Sequence, residues 1–282
     1  LGRPQVTRAI QELEASLGVR LFQRTTRQVR LTTEGEQFYE RVMDILGRLA
    51  QATSMFDVAG ASLRGKLRVD IPSALSQPAF ITSLREFSNR HPQIEMALGV
   101  TDRTVDLVAE GVDCALRIGE LPDSSLVARR IGMATMVTCA APGYIQEFGA
   151  PHTLQELDSH RCISFLSGQN QRPLPWQFSN GGIDRGYVSH RGIVVNESST
   201  YVQCGVAGFG ILQAPGIALE RYLADGSLVE VLENYRPRPR PVSVLYPSRT
   251  YLAPQVHAFV DWVSQRFALL YPLWLEQKTS GA

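Results

Sequence analysis

Val6-Thr7-Arg8-Ala9-Ile10-Gln11-Glu12-Leu13-Glu14, then Leu17-Gly18-Val19-Arg20-Leu21-Phe22-Gln23-Arg24-Thr25, decides how this 282-residue chain is read. Val6, Ile10, Leu13 and Leu17 recur at spacings of four, three and four, which puts them on one face of a helix. Gly18 is a natural stop for that helix. The polar side carries Gln5, Thr7, Arg8 and Gln11, side chains able to bond base edges and phosphates when a helix enters the major groove.

Working outward, Val19, Leu21 and Phe22 form an apolar anchor. The following Arg24-Thr25-Thr26-Arg27-Gln28-Val29-Arg30 is basic and able to form strands, so it reads as a small hairpin with arginines at its tip. Such a wing beside a helix supplies phosphate or minor-groove contacts through Arg24, Thr26, Arg27 and Arg30. Six arginines against two glutamates give residues 1–33 a net charge of +4 within a chain of only +1, the footprint of a polyanion site. Thr33 with Glu36 makes a T-x-x-E capping box for a second helix. In it Phe38, Val42, Ile45, Leu49, Ala52 and Phe56 repeat every 3.5 residues on average, a seam that seeks a partner helix and so dimerisation.

The quoted run, with Leu31-Thr32-Thr33-Glu34-Gly35 after it, resembles the second half of the DNA-binding domain of LysR-type transcriptional regulators. The resemblance implies a partial winged helix-turn-helix over 1–32, with the first helix and the first half of the helix-turn-helix absent. A dimerisation linker helix over 33–60 and a hinge over 61–65 follow. Gly2 stands where the family usually places a serine.

After Gly60-Ala61-Ser62-Leu63-Arg64-Gly65 the texture changes. Strand patterns at 66–71, 93–100 and 112–118 alternate with helical ones, at Phe80-Leu84-Phe87 and at about 103–110, which predicts an α/β domain with parallel units. Ligands of open α/β sheets bind beyond the carboxyl ends of strands, near helix N-termini. Ser73 and Ser76, Thr101 and Arg103, Ser167, and Asn196 with Ser199 all follow predicted strands, and Arg117 and Gln213 join them as candidates.

Val105-Asp106-Leu107 through Glu110-Gly111-Val112-Asp113, Leu116-Arg117-Ile118-Gly119, Leu126 to Gly132, and Gly205, Gly208, Gly210, Ile211 and Pro215 also resemble the LysR-type effector domain. That likeness implies a fold similar to periplasmic solute-binding proteins (type 2) over 66–282. One Rossmann-like subdomain is placed at about 66–134 and 243–282, the other at about 135–242, with a small-molecule effector between them. Hydroxyls and helix N-termini point to a polar or anionic effector. The family pattern further implies a cytoplasmic, nucleoid-associated bacterial homotetramer bound to promoter DNA. It admits RNA polymerase as another partner and requires no cofactor.

Other functions find little support. No apolar run approaches the ~18 residues of a membrane span. Gly205-x-x-Gly208-x-Gly210 departs from the dinucleotide-binding spacing, and no G-x-S-x-G elbow is present. Five histidines lack H-x-x-x-H spacing, so no metal is expected, and Cys114, Cys139, Cys162 and Cys204 are expected to be reduced structural thiols. Arg236 to Arg240, alternating with prolines, reads as a basic extended linker. The alternatives are a solute-binding protein, which has no use for the wing or the seam, and an enzyme with a grafted DNA-binding domain, which needs a catalytic group that is not evident.

Overall fold

The computed structural model describes residues 3–24, 29–39, 41–42, 45, 63–121, 124, 126–167, 172–189, 191–247 and 252–275. The chain divides between Ala61 and Ser62 into an N-terminal and a larger C-terminal unit.

In the first unit, helix α1 (Arg3–Leu17) ends at Gly18, whose φ of 70° is the left-handed conformation that glycine takes without strain. Strands β1 (Phe22–Arg24) and β2 (Val29–Leu31) pair antiparallel, Phe22 opposite Leu31 and Gln23 opposite Arg30. Glu14 fixes this hairpin to α1: its carboxylate accepts the N–H groups of Leu21 (2.8 Å) and Phe22 (2.9 Å). The next helix, α2, occupies 33–39 and continues at 41, 42 and 45.

Its cap is Thr32, one residue earlier than the T-x-x-E pattern predicts. The Thr32 hydroxyl donates to the Arg20 carbonyl (2.6 Å) and accepts the Gly35 N–H (2.9 Å), so the cap also anchors the helix to the wing base. Thr26 and Arg27, and Leu49, Ala52 and Phe56 of the seam, lie outside the described residues. Phe38 and Val42 are half-buried and Ile45 is exposed.

The second unit opens with β3 (Arg64–Ile71), a 3-10 turn at Ser73–Leu75, α3 (Pro78–Arg90), β4 (Gln93–Val100), β5 (Cys114–Ile118) and β6 (Leu126–Ala134). The strand after the expected hinge therefore already begins at Arg64. No helix forms over 103–110, where the chain makes turns instead. Asp106 accepts the N–H groups of Val108 (3.1 Å) and Ala109 (3.0 Å), the local bonding by which aspartate competes with helix propagation.

The chain then leaves this sheet for β7 (Met136–Ala140), α4 (Pro142–Phe148), β8 (Ser164–Ser167), β9 (Arg172–Pro173), β10 (Trp176–Asn180) and β11 (Ile183–Tyr187). It continues through β12 (Val194–Val195), α5 (Ser198–Val206), β13 (Leu212–Pro215), α6 (Gly216–Ala224) and β14 (Val229–Glu230). Strand β15 (Arg240–Pro247) returns to the first sheet, and α7 (Pro254–Leu270) follows.

That first sheet runs β4-β3-β5-β15-β6. The pairs of β3 with β4 and β5 are parallel, whereas β15 runs antiparallel to both β5 and β6. Helices α3 and α7 supply a core of Phe80, Leu84, Phe87, Phe259, Val263 and Phe267, with Phe87 edge-on to Phe259 at 5.3 Å. Leu98 and Val100, on the edge strand β4, are exposed despite their apolar alternation.

Beyond Thr135 a second half forms from the sheets β13-β7-β14 and β12-β8-β9 and the hairpin β10-β11. Its core includes Val137, Cys139, Ile163, Tyr201, Leu212 and Leu219. Gly210, at φ 152°, lets its backbone approach so close that a Cβ there would lie 2.2 Å from the Arg161 carbonyl oxygen. Burial pushes the Cys162 thiol up to about 11 and raises those of Cys114 and Cys139, so all three stay protonated at neutral pH and are poor nucleophiles.

Candidate effector cleft and DNA-contacting helix

A cavity of about 840 Å³ lies between the two halves of the C-terminal unit. Pro72 and Ala74 after β3, residues 102–108 after β4, and Glu120 and Leu121 after β5 supply one wall. These are the carboxyl ends of the three parallel strands, where α/β sheets leave a crevice for ligands. Phe165 of β8, Leu174, Ser198, Tyr201 and Val202 of α5, and Gln213 to Pro215 of β13 supply the other. Much of the lining is apolar with a few polar groups among it, and the volume suits a small organic molecule.

At the back of this cleft the Asp102 carboxylate is held from both sides. It accepts the Ser73 N–H (3.1 Å) and hydroxyl (2.6 Å) from one half, and the Ser198 N–H (2.6 Å) from the other. Ser199 N–H donates in turn to the Ser73 hydroxyl oxygen (3.2 Å). Glu197, the cap of α5, accepts the next N–H groups, those of Ser199 (2.8 Å) and Thr200 (2.7 Å). The first three N–H groups of α5 are thus all bound by carboxylates of the chain itself, and the helix end is satisfied without a ligand.

Burial pushes the Glu197 carboxyl up, but hydrogen bonds from the Thr200 hydroxyl and from the Thr200 and Ser199 N–H groups outweigh it and hold it below its ordinary 4.5. A hydroxyl has one proton, and at 2.6 Å Ser73 gives it to Asp102, so Thr200 is the hydroxyl that Glu197 keeps. A carboxyl below its ordinary 4.5 stabilises the fold above that pH and loses the contribution as pH falls through the lowered value. Glu197→Gln is expected to cost about 1 kcal/mol at neutral pH, as a weakened cap does. In urea titrations the gap from wild type should narrow as pH falls below 4.5; a gap independent of pH would refute this account of the cap.

Of the residues singled out from sequence, Arg103, Arg117 and Gln213 line the cavity, and Ser73 and Ser199 belong to the Asp102 cluster. Ser76, Thr101, Ser167 and Asn196 are not among its lining. The three lining side chains are bound elsewhere. Arg103 forms a bidentate pair with Glu110, and Arg117 bonds Asp70 at 2.6 Å. Gln213 donates to Thr138 (3.1 Å) and the Gln177 carbonyl (3.0 Å) and accepts the Gln177 N–H (3.1 Å). Tyr201, Glu120, Phe165 and Arg240 were not anticipated from sequence.

On the N-terminal unit, Gln5 and Arg8 are exposed on α1 and Thr7 is half-buried. Arg8 bonds Glu12 at 2.9 Å, an exposed i,i+4 pair that gives way readily to a phosphate or base. Arg24 and Arg30 fall within the two wing strands.

An arginine-bearing helix with a wing, and a two-lobed α/β unit around a cleft, are the parts of a DNA-binding regulator that carries a ligand-binding domain. Residues 1–36 match the model of the bacterial regulatory helix-turn-helix protein, lysR family, and residues 60–268 that of the LysR substrate binding domain. The chain is 39% identical to the HTH-type transcriptional regulator YhjC of Escherichia coli, over 94% of this chain and 88% of that one. An HTH-type transcriptional repressor of Pseudomonas aeruginosa is 31% identical over 95% of this chain and 84% of its own length. Full-length AphB, the virulence activator of Vibrio cholerae, superposes with a TM-score of 0.61 at 30% identity, covering 93% of this chain and 89% of that one.

This chain belongs to the LysR family of transcriptional regulators. It is a DNA-binding regulator rather than a solute-binding protein, and its role is regulatory, not enzymatic. No helix among the described residues is long and apolar enough to cross a membrane.

Proposed function

We propose that a small molecule held in the 840 Å³ cleft switches the chain's action on promoter DNA. The cleft itself carries this reading: its two walls come from halves joined, among the described residues, by two chain crossings near Thr135 and Arg240, so a ligand touching both changes their relative free energy. A ligand shifts such an equilibrium only by its unequal affinity for the two arrangements. In this reading residues 66–134 with 243–282 act as one subdomain and 135–242 as the other. A helix over 33–60 dimerises through Phe38, Val42, Ile45, Leu49 and Phe56, pairs of dimers make a tetramer on two half-sites, and the work is done in the cytoplasm.

Gln5, Thr7 and Arg8 address bases, and Arg24, Thr26, Arg27 and Arg30 grip the backbone. Fluorescence anisotropy of the intact regulator on DNA upstream of its own gene, titrated with salt and competitor, tests this. Tight, competitor-resistant binding is expected, and no binding at low salt would overturn it. Arg27→Ala is expected to weaken binding to all sequences alike and to lower the salt slope by about one unit. An unchanged slope would remove Arg27 from the contact.

A further inference from the structure

Among the described residues, the cleft contains one cation whose charge is not matched. Arg240 begins the returning strand β15, opposite Ala134 of β6, and lines the cavity half-buried. Arg103 and Arg117 have carboxylate partners, but among the described residues the Arg240 guanidinium has neither an ion pair nor a hydrogen bond. Burial lowers its pKa, opposed by Tyr201 and Glu120, both of which line the same cavity, so the guanidinium sits among cleft groups. Tyr201 is a buried neutral phenol whose hydroxyl is bonded to the Gln213 backbone, which leaves the exposed Glu120, beyond ion-pair distance, as the charged neighbour. An arginine removed from water favours a bidentate oxyanion.

The helix-terminal cradle at α5, the other place for an anion, is filled by Asp102 and Glu197. Tyr201 also fixes what lies next to Arg240: its ring packs edge-on to Phe165 at 5.5 Å, and Leu174 and Val202 continue that apolar wall.

Resting on the reading of this cleft as the effector site, we propose that the effector is an organic monocarboxylate, its carboxylate on Arg240 and its apolar body against Phe165, Leu174 and Val202. An effector held by the strand that crosses between the halves then acts at the point where their arrangement is set.

The test is calorimetry on the full chain with benzoate, 3-phenylpropionate and hexanoate, each beside the primary amide and the amine of the same skeleton. At least one carboxylate is expected to bind, with its amide and amine at least tenfold weaker. Arg240→Gln should weaken the carboxylate by about ten- to a hundredfold and erase its preference over the amide, and Arg240→Lys should restore part of it. Unliganded Arg240→Gln should melt no lower than wild type, which separates lost recognition from lost folding.

Amides or amines binding as well as carboxylates, carboxylate affinity unchanged in Arg240→Gln, or no carboxylate binding up to solubility would each overturn the proposal. A neutral or cationic probe whose binding is lost in Phe165→Ala would leave the cleft as effector site while removing the anion. Failure of every probe to respond to Phe165→Ala would count against the cleft itself.

Discussion

Arg117→Met is expected to destabilise the C-terminal unit by about 3–5 kcal/mol, the usual consequence of leaving one member of a buried ion pair behind. Arg117 of β5 and Asp70 of β3 meet at 2.6 Å with side-chain exposures of 16% and 8%. Arg117 also donates to the Leu116 carbonyl at 2.7 Å. Burial raises the Asp70 pKa above 3.8, and the Arg117 hydrogen bond and charge are what chiefly hold it back. Without the arginine, a buried carboxylate remains at the carboxyl end of β3 with little to balance it.

The sign of the pH dependence follows from that order of causes. A carboxyl whose folded pKa is raised contributes most favourably below its ordinary 3.8, and that contribution is lost as pH rises through the folded pKa. Removing Arg117 raises Asp70 further, so the variant regains part of its deficit as acid neutralises the carboxyl. Urea denaturation should therefore show a wide gap at neutral pH that narrows toward 3.8. Asp70→Asn combined with Arg117→Met should recover much of the loss, because the stranded charge is gone. A deficit under about 1 kcal/mol at neutral pH would mean that the pair is solvated and that Arg117 is available to a ligand.

Arg117 also illustrates what the sequence could convey. The apolar stripe of α1, Gly18 and the strand-forming wing are local patterns, and local periodicity suffices to place them. The cap of α2 was displaced by one residue because Thr32 and Thr33 are chemically equivalent in sequence. Only the Arg20 carbonyl, twelve residues away, decides between them. The segment 103–110 has helical spacing, but Asp106 bonds its own downstream N–H groups and turns form.

Within the cleft, hydroxyls after strands were legible as a class, since strand ends and helix starts are. Which side chain faces the cavity with unspent bonding capacity was not. Gln213 is inside it yet fully engaged by Thr138 and Gln177, 75 and 36 residues away. Arg240 looked like one basic residue in a proline-rich linker. Its place opposite Ala134 follows from a strand pairing that spans about a hundred residues.

Asp102→Ala is expected to cost about 2–4 kcal/mol, since one carboxylate holds two N–H groups and a hydroxyl at 2.6–3.1 Å, and charge-assisted bonds are the strong ones. More than stability is at stake, because these bonds join elements 29 and 96 residues away in the chain. Ser73 belongs to the first half and Ser198 to the second, so Asp102 occupies the position of a cross-linking anion between them. Removing it frees the Ser73 and Ser198 N–H groups and the end of the α5 dipole together. Acetate or formate at millimolar concentration is then expected to raise the melting temperature of Asp102→Ala by more than that of wild type, since the variant adds freed N–H donors to the Arg240 guanidinium that both proteins offer. Asp102→Asn should be rescued less, because its amide fills the space and turns an N–H₂ group toward at least one of these donors. If small carboxylates stabilise both proteins equally, they act elsewhere and the cradle does not open when Asp102 is removed. If the variant melts like wild type, the three bonds hold nothing that solvent cannot replace, and the two halves are set by packing and by their crossing strands alone.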